Sequence, residues 1–299
     1  MSDLWRTKLR SVKPGVNHER QVAYCIEREV IGIGWGMDRP SGTALDDVLA
    51  VVRNDWNLRT AAHTIRRFAE AKDGEFIWTR DTFGRYRLCR LEGPWRYEND
   101  PESAAVDIHQ VRDVSWMTAP ANDLQVPGAV IRCFVGTGSS FSRVRNKSAR
   151  MLTERIWAMA AGAEPEPLGF SPSQVLADML DPYDVEDLIY VWLQVTMGYI
   201  ALPRSRKRDT PVYEFSMLHA KSGRRGIVQV KTGRTPVDID GLAKALDSDT
   251  DAFAFATSGR YAGADSRVSV ISENELLEFV AEHPQYLPER IRWMFELAT

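Results

Sequence analysis

The first half of the chain alternates short apolar segments with turn-forming residues, and one long stretch interrupts this with helical spacing. Val30-Ile31-Gly32-Ile33-Gly34-Trp35-Gly36 is a β-branched run broken by glycines, which predicts a strand whose face another group approaches closely. Over residues 45–72 the apolar positions recur at helical spacing. Ala61, Ile65, Phe68 and Ala69 form a stripe against Arg66, Arg67 and Glu70, as in an amphipathic helix. Residues 75–79 and 85–90 read as two strands about the turn Asp81-Thr82-Phe83-Gly84. Further strands are expected over 105–116 and 129–135.

The second half predicts a helix over 184–197, started by Asp181-Pro182 and stopped by Gly198. Strands follow over 198–202, 212–218 and 226–230, the last two joined by the turn Lys221-Ser222-Gly223-Arg224. A helix over 237–246, strands over 252–257 and 267–271, and a helix over 273–281 complete an α/β sandwich around a mixed sheet. Between the halves, a helix around 151–159 leads to Ala161-Gly162-Ala163-Glu164-Pro165-Glu166-Pro167, whose alternate prolines favour an extended spacer. The expected organisation is therefore an α/β protein of two domains, 1–144 and 181–299, joined by a linker over 145–180.

Composition agrees with two domains: 299 residues with 44% hydrophobic content can build sizeable cores. A formal charge of -3 gives no overall basic excess, so any polyanion must be met by local basic patches. Three cysteines, Cys25, Cys89 and Cys133, are too scattered and odd in number for a disulfide framework or paired zinc ligation, and read as thiols in a reducing cytosol. With no apolar leader and no run of about 18 apolar residues, the expectation is a cytoplasmic protein with no membrane association.

Gln229 and Lys231 stand two apart on one strand, so their side chains leave the same face. Glu214, on the preceding strand, faces them if the register allows. Phosphodiester hydrolysis needs charge neutralisation and an activated water, which Mg²⁺ on carboxylate and other oxygen ligands supplies. A lysine alongside orients or deprotonates that water. With a helix bearing Val185-Glu186, then Met197-Gly198-Tyr199, an acidic residue, Val228-Gln229-Val230-Lys231 and Phe255-Ala256-Thr257-Ser258-Gly259, residues 184–280 resemble the Mrr-like branch of the PD-(D/E)xK nucleases. The resemblance implies a restriction-endonuclease-like sandwich binding Mg²⁺ or Mn²⁺. It makes Lys231 the catalytic lysine, puts Gln229 in place of the commoner acidic ligand, and has Glu186 support the metal. The middle carboxylate departs from the branch's pattern of an Asp in a glycine-rich approach. Here Arg208-Asp209-Thr210-Pro211-Val212-Tyr213-Glu214-Phe215 offers Glu214 first and Asp209 second. Just upstream, Arg204, Arg206, Lys207 and Arg208 suit either a solvated loop or a grip on a phosphate backbone.

The first half carries a second resemblance. Gly32-Ile33-Gly34-Trp35-Gly36, Arg66-Arg67-Phe68-Ala69-Glu70, Gly74-Glu75-Phe76-Ile77-Trp78, the run 84–93, Trp95-Arg96-Tyr97 and Val111-Arg112-Asp113-Val114-Ser115-Trp116 together are similar to the EVE and YTH-like members of the PUA superfamily. This implies an α+β PUA-like barrel that flips a modified base into an aromatic pocket, where stacking contributes about 1–3 kcal/mol. Trp35 leads the candidates for that cage, followed by Trp78, Trp95 and Trp116, with Asn17 beside His18 available for a base edge. Against this, tryptophan commonly fills a core, and a loop Asn-His pair commonly serves turn chemistry. The combined expectation is a modification-dependent DNA endonuclease of phage defence, acting on double-stranded DNA and, if it cuts both strands, as a homodimer. The alternatives are a modified-nucleic-acid reader with a degenerate nuclease half, and an RNA-directed nuclease.

Overall fold

A computed structural model describes residues 3–11, 13–37, 42–54, 58–135, 139–164, 168–202 and 212–296. The protein is mixed α/β with curled mixed sheets. It divides into two compact units, Met1–Val126 with Val130–Glu166, and Pro127–Ala129 with Pro167–Thr299. By this division the chain changes unit at residues 127–129, at the start of the helix over 128–135, as well as after residue 166; the proline spacer at 165–167 lies outside the described residues.

The first unit runs β1 (Leu4–Thr7), α1 (His18–Glu27), β2 (Val30–Ile33), α2 (Leu45–Asn54), α3 (Arg59–Glu70), β3 (Phe76–Arg80), β4 (Tyr86–Leu91), β5 (Arg96–Tyr97), α4 (Pro101–Val106), β6 (Gln110–Trp116), α5 (Gly128–Val135), β7 (Phe141–Arg143) and α6 (Lys147–Ala160). Its sheet follows the order β2-β6-β4-β3-β1-β7, with β5 also on β6. Only β1 and β3 pair in parallel among these strands. Trp5, Ile31, Phe68, Ile77, Cys89, Val111 and Phe141 pack inside the curl. Burying such side chains contributes about 1.5–3 kcal/mol each. Cys25, Cys89 and Cys133 are free, and burial raises the Cys25 thiol to about 12 and the Cys89 thiol well above its ordinary value, so both stay protonated.

The second unit holds α7 (Pro172–Gln174), α8 (Pro182–Met197), β8 (Tyr199–Ala201), β9 (Phe215–His219), β10 (Arg225–Lys231), β11 (Val237–Asp238), α9 (Ile239–Ala243), β12 (Thr250–Ala256), β13 (Tyr261–Ala262), β14 (Val268–Val270), α10 (Glu273–Glu282) and α11 (Glu289–Glu296). Its five-stranded sheet has the order β14-β12-β10-β9-β8, parallel from β14 to β10 and antiparallel beyond. Helix α8 begins with a capping box, Asp181 with Asp184, and ends at Gly198 with φ 73°. That positive φ suits glycine as the stop. The buried Asp184 carboxylate accepts two 3.0 Å bonds from Arg290 Nε, which ties α11 to the start of α8.

Four predicted elements differ, among them the helix expected over 237–246, which opens as strand β11 and is helical only over Ile239–Ala243. The helix expected over 45–72 is two helices, α2 and α3, each burying its own apolar stripe, so the spacing alone does not separate them. Residues 129–135 form helix α5 rather than a strand; a short apolar run does not distinguish the two by periodicity. Residues 101–106 are helical, capped by Asp100, and the strand begins only at Gln110.

Candidate functional site

In the second unit, the strand register assembles Glu214, Gln229 and Lys231. Phe215 pairs with Val228, and Glu214 N–H donates to Val228 O at 2.8 Å, which sets Glu214 across from Gln229. Gln229 Nε2 donates to Glu214 Oε1 at 2.7 Å, and Lys231 Nζ donates to the same oxygen at 2.8 Å. Among the described residues, Oε2 accepts no hydrogen bond. Gln229 is buried, whereas the Lys231 and Glu214 side chains are 34% and 30% exposed, so the group opens outward. The neighbouring strand leaves room for it. Ala254 and Ala256 stand beside Gln229 and Lys231 in register, while Phe253 and Phe255 alternate to the opposite face of β12.

A metal must find oxygen donors here. The Glu214 carboxylate and the Gln229 amide oxygen are both hard donors of the kind Mg²⁺ and Mn²⁺ take while keeping several waters, so the residues fit. Among the described residues no three of His, Cys, Asp and Glu gather as a metal-holding group. Glu186 is half-buried near the start of α8, a helix that packs against β10. Asp209, Arg204, Arg206, Lys207 and Arg208 lie outside the described residues.

In the first unit, a cavity of about 380 Å³ opens where the chain leaves β2, large enough for a small ligand. Trp35 forms part of its wall. The glycines around Trp35 are required by what lies beneath: a side chain at Gly34 would meet Asp107 Oδ2 at 3.0 Å, and one at Gly36 would meet His109 Nε2 at 2.0 Å. Trp35 itself has φ 67°, a conformation that costs a non-glycine residue about 1–3 kcal/mol. The segment is pinned in that shape. Gln110 Nε2 donates to Trp35 O at 3.2 Å, Met37 N–H donates to Tyr97 Oη at 2.7 Å, and Asn99 Nδ2 donates to Met37 O at 3.1 Å.

The other aromatic candidates stand elsewhere. Trp78 is fully buried and donates to Thr153 Oγ1 at 3.0 Å. Trp116 donates to Cys25 O at 3.0 Å, and Trp95 packs half-buried against the core; none of the three lines the cavity. Asn17 caps α1, its side chain accepting from the backbone of Glu19 and Arg20. The cavity residues that local sequence does not reveal include Ser11, Asp107 and His109. Their one signal is the spaced glycines of residues 32–36, which demand a close neighbour without naming it. No family model matches the chain, and no curated protein matches it either.

Proposed function

We propose that the chain is a modification-dependent DNA endonuclease. Its second unit acts as a PD-(D/E)xK nuclease of the Mrr-like kind, and its first as an EVE/YTH-like reader of a modified base. The observation that carries the reading is the convergence of Gln229 Nε2 and Lys231 Nζ on Glu214 Oε1 at the open end of paired strands. Glu214 and Gln229 would hold Mg²⁺ or Mn²⁺, which when bound neutralises phosphoryl charge and acidifies a water. Lys231 orients that water and stabilises negative charge as it develops. The reader's cavity supports the other half of the proposal through Trp35, an aromatic face held in a fixed and strained backbone.

The full chain is tested on plasmids bearing methylated or hydroxymethylated bases and on amplified unmodified copies, each with Mg²⁺, Mn²⁺ or EDTA. Nicked or linear product is expected only from a modified plasmid with metal. Equal cutting of both substrates, or cutting that survives EDTA, counts against the proposal; tight binding without cutting points to a reader alone. A readout independent of cleavage is also available. Glu214→Gln is expected to weaken Mn²⁺ binding, followed by electron paramagnetic resonance, by about 10-fold to 100-fold. Unchanged Mn²⁺ affinity would remove Glu214 from the metal site.

A further inference from the structure

The cavity of the first unit has, besides its aromatic wall, a side built to read a base edge. Asp107 closes helix α4 in the left-handed conformation, φ 52°. Among the described non-glycine residues only Glu29, Trp35 and Asp107 have positive φ, and two of these three line this one cavity. Such strain persists where surrounding structure enforces it, and it gathers at functional sites.

The Asp107 carboxylate is oriented from behind. Ser11 Oγ donates to its Oδ2, Ser11 N–H donates to Gln21 Oε1 at 3.2 Å, and Gln21 Nε2 donates to Val106 O at 2.7 Å. Gln21 is buried with both ends of its amide in use. Oδ1 is left without a hydrogen bond among the described residues; His109 Nε2, at 3.8 Å, is too far to bond it. His109 Nδ1 lies 2.9 Å from Glu98 O, and since a carbonyl only accepts, Nδ1 carries the proton. In the neutral ring Nε2 is then a second acceptor beside Oδ1. Lys8, Arg10 and Lys13 stand at the same cavity. Burial, with Arg6 and Arg10 adding to it, holds the Lys8 ammonium below its ordinary value.

We infer that the base taken by this cavity is one that bears an exocyclic amino group, donated to Asp107 Oδ1, and that bases with an oxo group at that position are rejected. The inference rests on the base-reader reading and deepens it. A carbonyl oxygen placed there would face a fixed carboxylate with no proton between them, and both would lose their water. Asp107 is therefore the residue that sets specificity, and Ser11 and Gln21 are positioning residues.

The test uses the full chain in EDTA and short duplexes with one base opposite an abasic site, where flipping costs least. Three pairs differ only by amino against oxo: 5-methylcytosine and thymine, cytosine and uracil, adenine and hypoxanthine. Fluorescence anisotropy is expected to show the amino member of at least one pair bound about tenfold or more tightly. Asp107→Asn keeps a residue tolerant of the left-handed conformation and offers an amide that donates or accepts, so it is expected to bring that ratio close to one. Equal binding within every pair, or a preference that survives Asp107→Asn, overturns the inference while leaving the reader in place. If Trp35→Ala changes none of the affinities, the base-reader reading itself fails and takes the inference with it.

Discussion

Replacing Lys231 with methionine is expected to lower metal-dependent cleavage of modified DNA by roughly 10²-fold to 10⁴-fold, the usual span for loss of a positioned acid-base group. The fold should be indifferent to the change. Lys231 and Glu214 form a pair that is about one-third exposed, and such pairs contribute about 0–1 kcal/mol. Methionine preserves the stem of the side chain, and Glu214 keeps the hydrogen bond from Gln229. Thermal denaturation and DNA affinity in EDTA therefore accompany the cleavage assay. A variant that cuts as fast as the parent removes Lys231 from the chemistry. One that melts early and cuts slowly shows instead that the lysine is structural.

The reason this site was legible in the sequence is that its signals are local. Gln229 and Lys231 share a face because side chains alternate along any strand, and the Lys221–Arg224 turn is short enough to bring the preceding strand back alongside. The Ala-Phe alternation of β12 is equally local and reads as one small and one bulky face. Register is not local in this sense: sequence left Glu214 and Asp209 as alternatives, and only the pairing of Phe215 with Val228 sets Glu214 across from Gln229. The cavity of the first unit is less legible still. It forms because Ile33 pairs with Gln110, which brings Asp107 and His109 beneath Gly34 and Gly36 from a distant part of the chain. Asn17 shows the converse case, in which two readings compete locally. An Asn immediately before a helix is a ready N-cap, and capping is the role its side chain performs. The same competition affects tryptophan, whose large apolar area serves a core as readily as a ligand.

Trp35 and Trp78 separate those two uses of tryptophan by experiment. Trp78→Ala is expected to cost about 3–5 kcal/mol of stability, because it removes a fully buried indole and leaves Thr153 Oγ1 without its donor. Trp35→Ala is expected to cost less, since that side chain is half-buried at a cavity wall and its backbone strain remains with alanine. For binding the order reverses. Loss of one base-stacking face at Trp35 should weaken affinity for modified DNA by about 5-fold to 150-fold, equivalent to about 1–3 kcal/mol. Trp78→Ala, assayed below its melting temperature, should bind as the parent does. Denaturant unfolding and anisotropy titrations on the two variants give four numbers, and the crossed pattern is required. If Trp35→Ala binds normally, the strained loop over Asp107 and His109 holds something other than a flipped base; if Trp78→Ala alone loses binding, the reading surface lies on the other side of the sheet, where Trp78 meets Thr153.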